Sequence, residues 1–337
     1  MDNWTSNFYR SIRNLGELVR WTEWFDSKVP LIFICYYYLF LVENSIGTQA
    51  LLTFFGGILS TCLFLAFGYY INDISDMEGD KNAGKYKLIH QLPTKIVYGL
   101  LIFLGVAGIG LFVFLSKGNP FSLGFIAIAY FFAIFYSIPP IRFKERGIWG
   151  LLISATAQRS FLCLYFFSLF NHFSIDTWLF FLLFTFIGIR WILVHQLIDL
   201  KSDIRNGVKT FATVQGYIRT SKYLSGIEYP LEIICMFTLW IWISIKIPYI
   251  WIIPLGYIVL TGIKWFCFGE GFTSDDLVTY VKPPLADFYF GYWPISFTVF
   301  LSLHNSIFWT LFSFNVLWQG RYIYRTVKYF LYAKRNG

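Results

Sequence analysis

Residues 50–80 read Ala-Leu-Leu-Thr-Phe-Phe-Gly-Gly-Ile-Leu-Ser-Thr-Cys-Leu-Phe-Leu-Ala-Phe-Gly-Tyr-Tyr-Ile-Asn-Asp-Ile-Ser-Asp-Met-Glu-Gly-Asp. The stretch 50–71 carries no charge, and a helix crosses the hydrocarbon core of a bilayer in about 20 residues. It therefore reads as a spanning helix. Directly after it comes a cluster of acids and one amide, Asn72, Asp73, Asp76, Glu78 and Asp80, placed where that helix leaves the membrane. An apolar span delivering carboxylates to one of its ends is the pattern from which the rest of the chain can be read.

The pattern extends outward in both directions. Of the 337 residues 57% are hydrophobic and 14% charged, with a mean hydropathy of +0.57, a balance that excludes a soluble domain of this length. Further apolar runs lie at 29–43, 94–116, 121–137, 148–170, 176–198, 223–245, 249–267 and 287–303, so the expectation is an all-α integral membrane protein with about nine transmembrane helices. Three parts are expected: an amphipathic interfacial segment over 1–28, a multi-span domain over 29–305, and a short apolar or re-entrant segment with a basic tail over 306–337. In the first, Phe8, Ile12, Leu15 and Val19 recur at helical spacing against Arg10, Arg13, Glu17 and Arg20, which suits a helix on a membrane surface or one packed on the domain. The start lacks the features of a signal peptide and is expected to stay in the mature protein.

Net charge is +8, and the basic residues fall on alternate loops. With the N-terminus inside, the loops 72–93, 138–147 and 199–222 hold Lys81, Lys85, Lys87, Arg142, Lys144, Arg146, Lys201, Arg205, Lys209, Arg219 and Lys222, whereas 44–49, 117–120 and 171–175 hold Lys117 alone. That asymmetry predicts cytoplasmic loops on the acidic side and argues against a nucleic-acid footprint. Nine spans would leave the tail outside, yet it carries Arg321, Arg325, Lys328, Lys334 and Arg335. The conflict is resolved if His304 and Asn305 turn the chain and 306–320 returns as a short helix. The cysteines Cys35, Cys62, Cys163, Cys235 and Cys267 lie within or beside apolar runs, without metal-ligand spacing, and read as small apolar residues.

On a helix Asn72, Asp76 and Asp80 recur at four-residue intervals and can direct oxygens toward a common centre. Clustered carboxylates repel one another without a cation, and oxygen ligands unaccompanied by His or Cys favour Mg²⁺. The device recurs at the inner end of the sixth span, where His195, Asp199 and Asp203 share the same spacing. Two such clusters on one side suit metal ions that grip a diphosphate from two directions.

Here the chain resembles a known family. Asn-Asp-Ile-Ser-Asp-Met-Glu-Gly-Asp over 72–80 matches the NDxxDxxxD motif of the UbiA superfamily of intramembrane prenyltransferases, and Asp199 to Asp203 followed by Gly207 and Thr210 matches its DxxxDxxxGxxT motif. Tyr136-Ser137-Ile138-Pro139-Pro140-Ile141-Arg142-Phe143-Lys144 is similar to its YSxPPxRxK loop. The likeness covers roughly residues 20–300 and implies a bundle of two similar halves around a central cavity capped by the acidic motifs. It implies that Asp76, Asp80, Asp199 and Asp203 are catalytic, with Asn72, Asp76 and Asp80 on one Mg²⁺, Asp199 and Asp203 on another, and Asp73, about 100° from Asn72 around the helix, in second place. His195 stands where many members carry Tyr.

Lys81, Lys85, Arg142, Lys144 and Lys209 lie beside the motifs on the correct side to bind diphosphate, though each also fits the loop charge rule. Polar residues inside the spans are costly in lipid and face a cavity or each other. Gln158, Arg159, Arg190, Glu228 and Glu232 are of this kind, and with His195 they are candidates either for acceptor contacts or for helix-clamping pairs. The expected reaction is Mg²⁺-dependent transfer of a prenyl group from a polyprenyl diphosphate to a lipophilic acceptor, in contact with membrane lipid. The alternative is a terpene cyclase that uses the diphosphate without an acceptor. A transporter or scaffold fits less well, since both acidic motifs are intact.

Overall fold

The computed structural model describes residues 13–324 apart from 46, 83, 206 and 269–284, and the backbone alone at 264, 265, 267 and 268. Phe8, Arg10 and Ile12 of the amphipathic segment, Arg325, Lys328, Lys334 and Arg335 of the tail, and the side chain of Cys267 lie outside the described residues. Among those described, the chain is helical throughout, and a single bridge between Gly147 and Thr210 replaces any sheet.

Among the described residues, six helices are long and apolar enough to cross a membrane: Thr48–Asn82, Thr94–Ser116, Pro120–Ser137, Ile148–Leu169, Ile175–Arg205 and Tyr217–Lys246. With the shorter apolar helix Val29–Val42 as α1, these are α2, α3, α4, α5, α6 and, after a small α7 at Phe211–Gln215, α8. Ile252–Phe268 is α9, Trp293–His304 is α10 and Trp309–Trp318 is α11. The described structure thus supports six full-length crossings, with α1, α9 and the two helices after residue 285 as shorter pieces. The chain does turn after His304: Asn305 Oδ1 accepts from Ile307 N at 3.0 Å, and α11 packs back against α10. Near the chain's entry, Trp318 stacks on Phe25 at 3.9 Å.

The apolar surface is arranged for lipid. Ile102, Phe103, Val106, Val113 and Phe114 of α3 and Ile234, Phe237, Ile241 and Ile245 of α8 all face outward, a belt that water would not tolerate. Helix α1 is the reverse case, with every residue from Val29 to Phe40 buried. A helix apolar on all sides belongs in the middle of a bundle, and α1 is enclosed there by α2, α5 and α10. Its 14 residues are short because nothing on it has to reach the membrane faces.

Helices α2 and α6 are long for the opposite reason. At about 1.5 Å per residue, the 35 residues of α2 and the 31 of α6 outrun a hydrocarbon core of about 30 Å. Their surplus turns are the acidic motifs, held beyond the apolar layer without a break in the helix. Gly188 lets α6 lie directly on α5, since a Cβ there would stand 2.7 Å from the Ala155 carbonyl oxygen.

Among the described residues, three helices contain a π-helical turn: Thr156–Ser160 within α5, Leu224–Glu228 within α8 and Phe288–Tyr292 leading into α10. Two of them come just before Pro230 and Pro294. Proline removes a backbone donor and its ring crowds the preceding turn, which the helix absorbs by widening.

Candidate active site

The first motif leaves α2 over an arc, because four residues turn a helix by about 400° and eight by about 800°. Asn72 and Asp76 face one way; Asp80 has drifted to within about 20° of Asp73. The side chains obey this geometry. Lys144 Nζ donates to Asp76 Oδ1 at 2.5 Å and to Asn72 Oδ1 at 3.2 Å, and Arg142 Nη2 reaches Asp76 Oδ1 at 3.2 Å. Lys87 Nζ bridges the other pair, 2.6 Å from Asp73 Oδ1 and 2.7 Å from Asp80 Oδ2. Arg20 Nη1 lies 3.6 Å from Asp73 Oδ1. Asp73 is nearly buried, while Asp76 and Asp80 remain partly open.

The segment after α4 docks onto this helix end through its own backbone and side chains. Ser137 Oγ donates to Asn72 Oδ1 at 2.8 Å, and Ser75 Oγ donates to the Ser137 carbonyl at 2.7 Å. Arg142 takes a left-handed conformation at φ 44°, which starts the turn carrying Phe143–Glu145 and brings Lys144 back to Asp76. Burial holds Lys144 below the ordinary lysine pKa despite Asp76 beside it. For Lys87 burial acts the same way but is outweighed by the hydrogen bonds to Asp73 and Asp80, and its pKa is raised.

The second motif ends α6. Asp199 is exposed and Asp203 half-buried. Gly207 adopts φ +68°, a left-handed conformation suited to glycine. Thr210 then caps α7, its hydroxyl accepting from Thr213 N. Gln196 Oε1 accepts from Ala212 N at 3.1 Å, and Gly147 N donates to the Lys209 carbonyl. These contacts tie the two loops together. Tyr136 is in electrostatic range of both Asp76 and Asp203, and Lys85, from the loop after the first motif, is in range of Asp203. The two acidic clusters therefore lie toward the same end of the bundle.

Below them a ladder of polar groups descends into the bundle. Lys28, at the start of α1, donates to Tyr69 OH and Gln158 Oε1, with its Nζ 4.3 Å from the Tyr69 ring centre. His195 is in electrostatic range of Glu23, Lys28, Asp199 and Arg159. Arg190 forms a two-point pair with Glu232, Nε to Oε2 at 2.6 Å and Nη2 to Oε1 at 3.0 Å. Arg159 and Glu228 are buried beside that pair. Lys81, Lys85 and Lys209 are exposed at the rim. Among the described residues, no three His, Cys, Asp or Glu side chains converge closely enough to ligate one ion.

Arg20, Lys28, Tyr69 and Lys87 join this site without having been singled out by sequence. Lys87 was visible only as one basic loop residue among several, and Lys28 as a charge flanking an apolar run.

The model of the UbiA prenyltransferase family matches residues 31–272. The chain belongs to this family. The fold is that of other UbiA proteins: a UbiA homolog from Archaeoglobus fulgidus bound to GPP and Mg²⁺ is similar with TM-score 0.59 at 18% identity, over 89% of this chain and 99% of that one. The same homolog bound to DMAPP and Mg²⁺ gives 0.58 at 17%, with the same coverage. Comparison with curated proteins finds no match.

Proposed function

We propose that this UbiA protein transfers a prenyl group from a polyprenyl diphosphate to a hydrophobic or amphipathic acceptor, releasing diphosphate, at the end of the bundle toward which both of its acidic clusters lie. The observation that carries the reading is that shared end, with Tyr136 in range of both Asp76 and Asp203 and a rim of lysines and arginines around them. We place that end in the cytoplasm on the distribution of basic loops, with about nine crossings and a surface helix before residue 28.

The donor set fits Mg²⁺ in chemistry, offering hard oxygens from Asn72 and Asp76 on one side and Asp199 and Asp203 on the other, with Asp80 available to the first once Lys87 releases it. Asp73 is turned toward Arg20 and Lys87 and belongs to the support of the site. The related homolog structures that carry Mg²⁺ with GPP and with DMAPP support the same choice. Bound there, Mg²⁺ would neutralise charge that develops on the departing diphosphate.

The chain supplies the rest. Lys144, Arg142 and Lys87, which in this structure neutralise the acids, are placed to neutralise diphosphate oxygens once the acids have another counter-charge. Lys81, Lys85 and Lys209 at the rim attract the anionic donor. The allylic C–O bond breaks with its electron pair leaving on diphosphate, an acceptor electron pair closes on the allylic carbon, and the proton the acceptor loses passes to the released diphosphate. Tyr136, in range of both acidic clusters, offers an aromatic face to the positive charge in between, and the tightly packed α1 keeps water away.

The test is product formation by purified protein given geranylgeranyl diphosphate and a membrane extract. A prenylated product whose formation stops in EDTA and returns with Mg²⁺, but not with Zn²⁺, is expected. Full turnover in chelator would contradict the reading, and a hydrocarbon formed without extract would make the protein a cyclase.

A further inference from the structure

The three π-helical turns lie on three different elements, yet they serve one place. The turn Thr156–Ser160 carries Arg159, Leu224–Glu228 carries Glu228, and Phe288–Tyr292 carries Tyr289. All three residues are in electrostatic range of Arg190 on α6. A π turn inserts one residue, re-aims the side chains around it and recurs at functional sites. Convergence of three on a single arginine is not required for packing, since the turn in α5 has no proline behind it.

The place they build is polar, buried and incompletely bonded. Arg159, Arg190 and Glu228 are 4%, 1% and 1% exposed. Arg190 spends Nε and Nη2 on Glu232, which leaves its Nη1 without a partner; Arg159 Nε and both Glu228 carboxyl oxygens are likewise without partners. Unpartnered buried polar atoms are expensive, and four of them grouped around Arg190 describe a ligand that both donates and accepts. A hydroxyl group does both. The two Glu228 oxygens lack a donor, and an ionised phosphate or carboxylate has no proton to offer them. Lys28, at the neck above, adds little positive charge: burial first, and then Arg159, hold its pKa well below the ordinary lysine value.

We infer that Arg159, Arg190 and Glu228 form the subsite for the polar end of the acceptor, and that this end is an uncharged hydroxyl-bearing group. The inference rests on the prenyl transfer proposed above and names its second substrate class. Glu232 acts through Arg190 as a positioning residue, holding the guanidinium so that Nη1 remains free. On α6, Arg190 precedes Asp199 by nine residues, about 13 Å of helix, so this subsite lies between two and three turns below the second acidic cluster.

The test separates a membrane lipid extract by anion exchange into neutral and acidic pools and supplies each, with radiolabelled geranylgeranyl diphosphate, to the purified protein. Labelled product is expected from the neutral pool, with Glu228→Gln raising the KM for that pool about tenfold or more and moving the donor KM less than about twofold. Glu228→Leu should raise it further, with thermal midpoints recorded to separate loss of binding from loss of fold. Product from the acidic pool alone overturns the inference. So does an unchanged acceptor KM in a folded Glu228→Gln protein, which would make the chamber a water pocket. Product from neither pool also overturns it, and geranylgeranyl diphosphate binding, measured in parallel, then tells whether the donor reading falls too.

Discussion

Helix α6 carries aspartates at both ends, and the two ends treat them oppositely. At its start Asp176 is fully buried, and its Oδ2 accepts from Tyr38 OH, from Lys246 Nζ at 3.0 Å and from His172 Nε2 at 2.8 Å. His172 Nδ1 in turn meets Glu43 Oε1 at 2.5 Å. Four segments of chain are thereby pinned at one carboxylate. At the other end Asp199 and Asp203 are open to the rim, close enough to repel each other. A carboxylate that serves the fold is neutralised by the fold's own donors, three of which meet on one Asp176 oxygen, whereas one that serves a ligand is left with charge to spare.

Substitutions at the two ends should therefore fail in different ways. The largest effect is expected for Asp203→Ala and Asp76→Ala, which should lower diphosphate release from geranyl diphosphate by about 10³-fold or more while leaving the thermal midpoint within about 2 °C, since partly exposed pairs contribute little to stability. A variant that loses activity only by unfolding would erase the distinction between the ends. Asp176→Ala should do the reverse. Stranding Lys246, His172 and Tyr38 costs about 3–5 kcal/mol and should lower the midpoint by about 5 °C or more. Whatever protein stays folded should keep its KM for geranyl diphosphate.

How much of this contrast is legible in the sequence depends on where its parts lie in the chain. The acidic clusters were legible because each is local: their spacing on one helix and the apolar run before them are contiguous in sequence. The clamp at Asp176 is not, because Tyr38 and Glu43 at the end of α1 and Lys246 at the end of α8 lie far from Asp176 in sequence and reach it and His172 only through packing. The helix repeat explains another difference. Asn72, Asp76 and Asp80 were expected on one face, but the drift of about 80° between first and last lets Lys87 gather Asp80 with Asp73 instead. Arg190 was one of two arginines suited to a glutamate, and the structure pairs it with Glu232 while Arg159 remains apart. The π turns that decide this have a partial signal in Pro230 and Pro294; the one in α5 has none.

A smaller effect probes the clamp through pH. The hydrogen bond to Asp176 raises the His172 pKa against the opposing effect of burial, with Glu43 adding to it. A histidine raised in the folded state contributes stability that is complete below its unfolded pKa of about 6.5 and is lost as pH rises through the folded value. The thermal midpoint should accordingly fall by about 2 °C or more between about pH 6 and pH 9, and His172→Gln should flatten that slope. A midpoint that rises over this range would show that the ring is neutral in the folded protein.

The measurement that goes most directly to the shared end of the two clusters is a double-mutant cycle on Mg²⁺-dependent diphosphate release, using Asp76→Ala, Asp203→Ala and the two combined. If both carboxylates act on one departing diphosphate, each single change removes nearly all of the rate and the combined variant is no slower than either alone, the strong non-additivity of groups that work as a unit. Losses that multiply in the combined variant, or a single variant retaining more than about a tenth of the rate, would mean that the clusters act independently and that their proximity at this end of the bundle is not the source of activity.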